Sequence, residues 1–282
     1  MSDRKPIPSD VKRSLRQEAG FGCCKCGRPI IEYHHILPYT EDDPHFRIKD
    51  MMCLCPYCHH EATVGAMTMQ EQRDLKSNPI NIINDRAEGH LKVNQDLLMI
   101  TLGNNQFLTE NAIITVDGNN LIQVKSNENG RLDLSLKLYN EQNDLILEIK
   151  DNEWVSGDFI PWDIESSFQI LKIRNKKYDI ALDINAKEIP LMINGKIWHN
   201  QHLIKLTSKG IFFNAKKSSG QISDICFVGS NLELDTNEGV FSICPHPVYN
   251  GHSMIPGTIE RKIKEGTEAF NRLKKNYIQQ NL

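Results

Sequence analysis

Between Cys23 and His60 the chain concentrates residues that hold metal ions and move protons. Cys23 and Cys26 form one C-x-x-C pair and Cys55 and Cys58 a second. His34-His35 lie between the pairs, and His59-His60 follow the last cysteine directly. A C-x-x-C turn presents two thiolates to one ion, so two such turns suit a tetrahedral four-sulfur zinc site. An ion saturated by sulfur needs no imidazole, which leaves His34, His35 and His59 for a second site. Cys24 and Cys53 are spare: Cys24 is an alternative ligand, and otherwise both are packing thiols.

Free imidazoles beside a divalent ion suit phosphodiester hydrolysis. An attacking water must lose a proton near neutral pH, for which histidine has the right basicity. A divalent cation must neutralise the scissile phosphate and the leaving oxygen. Adjacent strand residues point to opposite sides, so one of His34 and His35 can hold metal while the other faces substrate. His59, from a following helix, can complete the metal shell across a hairpin.

The elements that must position these groups can be read around them. Residues 9–19 have the pattern of a short helix, with Ser9 as its cap, Val11, Leu15 and Ala19 on one face and Gly20 as its stop. Lys12, Arg13 and Arg16 fall on the other face, either solvated or in contact with phosphate. Residues 30–36 and 46–54 read as two strands, 59–67 as a helix, and Thr68 to Glu71 as a capping box opening another helix that ends before Asn78-Pro79. A polar connection over 79–95 places a domain boundary near residue 92.

From residue 93 to 256 short alternating runs recur, at 99–102, 112–116, 121–125, 132–139, 145–150, 168–173, 178–184, 189–193, 203–207 and 225–228. Asp117-Gly118, Asn129-Gly130 and Asn194-Gly195 are turn signals between them. Leu132, Leu134, Leu136 and Leu138 alternate with polar residues as a half-buried strand requires. This region is expected to be all-β, with Trp154, Trp162 and Trp198 as packing residues. Residues 257–282 are expected to be helical; Ile259, Ile263, Gly266, Phe270, Leu273 and Tyr277 form a heptad seam that either docks on its own domain or makes a homodimer or larger homo-oligomer. The loop carrying His246 and His252 is either surface or a ligand lip. The fold class is therefore α+β: a small zinc-stabilised domain over residues 1–92, a larger mainly-β domain over 93–256 and a C-terminal helix.

Composition narrows the setting. The chain has 282 residues, 39% hydrophobic and 24% charged, as in a soluble globular protein. It contains no apolar run near the roughly 20 residues of a membrane span and no apolar signal-peptide core at its N-terminus, so no membrane partner and a cytoplasmic location are expected. Six of the eight cysteines crowd into residues 23–58, which points to metal in a reducing compartment and not to disulfides. A net charge of −3 provides no global attraction for nucleic acid, so any such contact must be local.

The run G-F-G-C-x-x-C-G from Gly20, Y-H-H-I-x-P from Tyr33 and L-C-P-x-C-H from Leu54 resembles the HNH endonucleases, whose site is a ββα-metal finger. The likeness spans about residues 9–90, including N-P-x-N-I from Asn78. It implies that His35 is the general base, that His34 and His59 bind the catalytic Mg2+ or Mn2+, and that Zn2+ sits on the four cysteines. It puts Asp50 where the family has an Asn that holds the hairpin loop; an Asp can serve through its acceptors or add charge near the metal. His60 and Arg16 are candidate nucleic-acid contacts, His60 being otherwise a helix-surface residue. The resemblance also implies cleavage of DNA to a 5′-phosphate and a 3′-hydroxyl, with RNA left open. The β region is similar to a module that follows such nuclease domains, with segments like L-I-L-E-I-K-D-N-E-W. An effector joined to a sensor, as in anti-phage or restriction-like defence, fits this layout by analogy. The competing expectation is a zinc-stabilised nucleic-acid-binding or assembly module without catalysis.

Overall fold

The computed structural model describes residues 5–109, 112–214 and 219–245. The expected C-terminal helix and the loop bearing His246 and His252 lie outside them. Among the described residues the fold is α+β, with few helices and mostly strands. No described helix is long and apolar enough to cross a membrane. The chain forms two compact units. The first comprises Met1–Lys92, Asp144–Glu148 and Glu153–Asp183; the second comprises Val93–Asn143, Ile149–Asn152 and Ile184–Leu282.

In the first unit α1 runs Ser9–Glu18. Pro8 occupies the capping position with extended backbone and Ser9 is already helical, so Ser9 does not cap the helix as expected. Leu15 and Ala19 are buried on the anticipated face. Gly20 ends the helix in the left-handed region, where glycine carries no Cβ penalty. Strands β1 (Glu32–His35) and β2 (Met51–Leu54) pair antiparallel, with His34 opposite Met52 and His35 opposite Met51. Both are shorter than their apolar runs, and β2 is cut back by the 3-10 turn of Ile48–Asp50 that precedes it.

Helix α2 spans Pro56–Thr63 and starts three residues before the expected site. Pro56 sits in its first turn, where a missing N–H costs nothing. Helix α3 (Met69–Ser77) opens with the capping box read from the sequence: Thr68 accepts from the Glu71 N–H, and the Glu71 carboxylate accepts from the Thr68 N–H. The expected connection contains α4 (Ile80–Ile83) and β3 (Glu88–His90). Strand Glu153–Ser156 pairs with β3, and Asp163–Ser166 pairs with Ile170–Lys176. Trp154 is buried, as expected of a packing residue.

The second unit is built of hairpins. Ala112–Val116, Asn119–Ser126 and Leu132–Tyr139 form an antiparallel meander, and Ser230–Asp235 adds to it parallel to the first of these. Leu191–His199, His202–Thr207, Gly210–Asn214 and Ser219–Ile222 form another. Leu132, Leu134, Leu136 and Leu138 are all buried, so that face is where the alternation put it. Asp117 and Gly118 both take positive φ, the backbone of a two-residue hairpin turn. Asn194-Gly195, in contrast, is no turn. It lies inside a strand, with Gly195 opposite Leu206, because buried Leu191, Ile193 and Ile197 carry the alternation through it.

Candidate metal centre and histidine cluster

The ligand-bearing sulfurs of Cys23, Cys26, Cys55 and Cys58 all lie within 4.8 Å of one another. Cys26 and Cys55 sulfurs are 3.6 Å apart, and those of Cys26 and Cys58 3.8 Å. Zinc–sulfur bonds of about 2.3 Å in a tetrahedron require sulfur–sulfur edges of about 3.8 Å, so the four residues fit a zinc ion. Among the described residues this is the one group of three or more potential donors gathered closely enough to hold a metal.

The first cysteine turn is clasped from behind. Cys23 N–H donates to Arg28 and Gly27 N–H to Cys23, while Asn81 from α4 donates its side-chain amide to the carbonyls of Gly20 and Gly27. A Cβ on Gly27 would stand 2.4 Å from Asn81 Oδ1, and Gly27 has φ +77, so both space and backbone call for glycine there. The second pair is supplied by the residue before α2 and by its first turn.

Burial raises the Cys26 thiol to about 11 and pushes Cys58 up as well. Burial also acts upward on Cys55, but hydrogen bonds from the Cys58 backbone and the neighbouring thiols bring it below its ordinary value. A bound cation would ionise all of them, because its charge outweighs desolvation. Cys24 and Cys53 are buried outside the cluster and pack, with burial holding Cys24 near 11.

The histidines form a separate group. His34 on β1 and His59 on α2 stand edge to face with ring centroids 5.0 Å apart, and neither belongs to the four-sulfur cluster. His34 Nε2 meets Gln72 Oε1 at 2.9 Å, and His59 Nδ1 bonds the Glu32 carboxylate. Burial lowers the His34 pKa below its ordinary value of 6.5, with the His59 charge adding to that and the Gln72 bond opposing it. A neutral imidazole is the form that ligates metal.

His35, the next residue, engages a different partner. Its Nε2 donates to the His45 carbonyl at 3.2 Å, and its ring lies 5.3 Å from that of His45 and 5.7 Å from Tyr39. A ring nitrogen facing a carbonyl must carry the proton, so the lone pair of the neutral ring is on Nδ1. His45 itself is buried; its Nε2 donates to Leu37, and its Nδ1 has no hydrogen-bond partner.

Asp50 governs the loop that presents that carbonyl. Its carboxylate accepts from Arg47 Nε at 2.8 Å, and Arg47 in turn grips both oxygens of Asp43 at 2.9 and 2.7 Å. The Asp50 backbone carbonyl accepts from Ile36 and Leu37. The hydrogen bond from Arg47 holds the Asp50 carboxyl below its ordinary range. Asp50 therefore ties both ends of the 37–47 loop together, the Arg47 end through its carboxylate and the Leu37 end through its backbone carbonyl.

The two candidate nucleic-acid contacts differ. His60 is exposed on α2. Arg16 is turned inward: Nε and Nη2 donate to the two oxygens of Asp163 at 2.9 and 2.7 Å, and Nη1 donates to the Tyr33 hydroxyl. Burial alone would lower the Arg16 pKa, but Asp163 outweighs it and keeps the guanidinium charged. Arg16 is thus committed to a buried ion pair and is not presented to phosphate, because its acidic partner outcompetes solvent on that helix face.

Gln72, Glu32, His45 and Asn81 all touch this region and were not singled out by spacing. Glu32 alone carried a local signal, two residues before His34 on the same strand. No family model, characterised protein or solved structure matches the chain.

Proposed function

We propose that the first unit is a metal-dependent endonuclease of the HNH type that hydrolyses phosphodiester bonds of DNA. The observation that carries this reading is the His34–His59 pair, 5.0 Å apart and separate from the four-sulfur cluster, with His35 next in sequence and tethered by its own loop. An inert zinc would hold the hairpin against α2, while two imidazoles remain for a reactive ion. Two protein donors suit Mg2+ or Mn2+, which keep most of their shell as water or substrate oxygen. When bound, such an ion neutralises charge on the scissile phosphate and on the leaving 3′ oxygen.

His35 then acts as general base. Its Nδ1 takes a proton from water, the water oxygen attacks phosphorus, and the bond to the 3′ oxygen breaks; that oxygen takes a proton from solvent, leaving a 5′-phosphate and a 3′-hydroxyl. The His45 carbonyl keeps the proton of the resting ring on Nε2, and the Asp43–Arg47–Asp50 ion pairs hold that carbonyl in place. The second unit serves as sensor or assembly module for this effector, in a restriction-like or anti-phage role.

The test is nicking of supercoiled plasmid in Mg2+ or Mn2+ by wild type and His35→Ala at equal zinc content. Loss of the base is expected to slow cutting by about 100-fold or more. Equal nicking by both removes His35 from the mechanism. No cutting by wild type with either ion favours a zinc-stabilised nucleic-acid binder without catalysis.

A further inference from the structure

Two hydrogen bonds decide which nitrogens of the histidine pair carry the lone pairs. Gln72 is a buried residue of α3, 4% exposed. Its amide nitrogen donates to the Met67 carbonyl at 3.0 Å. An amide NH2 cannot accept, so this bond fixes the amide orientation and turns Oε1 toward His34 Nε2, 2.9 Å away. A carbonyl oxygen only accepts; Nε2 of His34 must therefore carry the proton, and the lone pair is on Nδ1. On the other side of the pair the Glu32 carboxylate faces His59 Nδ1 and sets the opposite tautomer, with the lone pair on Nε2.

We propose that Gln72 is a positioning residue that holds His34 as the Nε2–H tautomer, so that Nδ1 is the nitrogen offered to the divalent ion, with Glu32 doing the complementary task for His59. The ion itself rests on the proposed function; the tautomer does not. Ligating histidines bond a fixed partner through their second nitrogen, which sets ring orientation, and loss of such partners typically costs 10- to 100-fold in metal affinity. The two polar ends of Gln72 are divided between the Met67 backbone and the His34 ring. The Thr68–Glu71 capping box starts α3 and fixes the turn on which Gln72 reaches β1.

The experiment uses the full-length zinc-loaded protein labelled with 15N-histidine. Long-range proton–nitrogen correlation at pH 8 reads the His34 tautomer, assigned by the signal lost in His34→Ala, and Mn2+ binding is read by paramagnetic resonance of the free ion. Wild type is expected to show protonated Nε2 at His34. Gln72→Leu, which keeps bulk and removes the acceptor, is expected to lose that preference and weaken Mn2+ binding about 10- to 100-fold at unchanged zinc content. Gln72→Glu, which keeps an acceptor, is expected to retain the tautomer and most of the affinity. Protonated Nδ1 in wild type, or Gln72→Leu binding Mn2+ as wild type does, overturns the proposal. The wild-type spectrum and Gln72→Glu decide the matter even if the leucine variant does not fold. Wild type that shows the Nε2–H signal but takes up no Mn2+ supports the tautomer assignment and overturns the proposed function.

Discussion

Replacing Arg16 by alanine should destabilise the first unit and leave a charge stranded inside it. The Arg16 and Asp163 side chains are 10% and 3% exposed, so neither is screened by water. Two parallel donors to one carboxylate give the bidentate geometry in which such pairs are strongest. Removing one partner of a buried pair costs about 3–5 kcal/mol, mostly because the other charge remains desolvated. Asp163 would keep Arg174, whose Nη1 is 3.5 Å from Oδ2, so the lower end, about 3 kcal/mol, is expected. Urea titration followed by fluorescence reports on this unit through buried Trp154 and through Trp162, over which Arg13 stacks at 4.3 Å. The double variant Arg16→Met with Asp163→Leu removes both charges and should recover most of the loss. A loss below about 1 kcal/mol in Arg16→Ala, accompanied by weaker DNA binding, would refute the reasoning and place the guanidinium on the nucleic-acid face.

Asp50→Ala should leave zinc content unchanged and slow plasmid nicking by about 10- to 100-fold, since it loosens the loop that tethers His35; wild-type nicking by this variant would detach Asp50 from the site. The folded-state pKa of Asp50 is depressed, so its contribution is present above the ordinary value of 3.8 and lost as pH falls through the lower folded value. Stability of wild type relative to Asp50→Ala should therefore be flat from pH 5 to 8 and converge only in strong acid; convergence near neutrality would contradict the ion-pair assignment. Gly89→Ala should cost about 1–3 kcal/mol in a thermal melt, because the added Cβ would meet Pro29 Cγ at 2.5 Å and the Trp154 ring at 2.9 Å. An unchanged melting temperature would show that these neighbours can move aside.

What the sequence made legible follows from how local each signal is. Both cysteine pairs, the capping box at Thr68 and the Asp117-Gly118 turn are set by neighbours within a few residues, and each was found where its spacing put it. His34 and His59 were singled out by their places beside the cysteine pairs, and β1 and α2 set their ring centroids 5.0 Å apart. Arg16 was not, since Asp163 lies 147 residues away and nothing on α1 betrays a buried partner for one of its cations. Gln72 drew no attention, since nothing on α3 signals that its amide reaches His34, 38 residues earlier. Strand Asp163–Ser166 carries too little apolar alternation to stand out, and it is held instead by pairing with Ile170–Lys176 and by the ion pair. The turn at Asn200-Gln201 takes positive φ at both residues without a glycine, so no sequence signal marked it.

Extended X-ray absorption at the zinc edge tests most directly whether sulfur alone holds the scaffold ion and leaves the imidazoles to the chemistry. The expected spectrum of the purified protein has one zinc per chain and a single shell of four sulfurs at about 2.3 Å. It should be unchanged in His34→Ala and His59→Ala. A mixed shell with nitrogen at about 2.0 Å, lost in either histidine variant, would contradict the account, since the imidazoles would then belong to the structural ion.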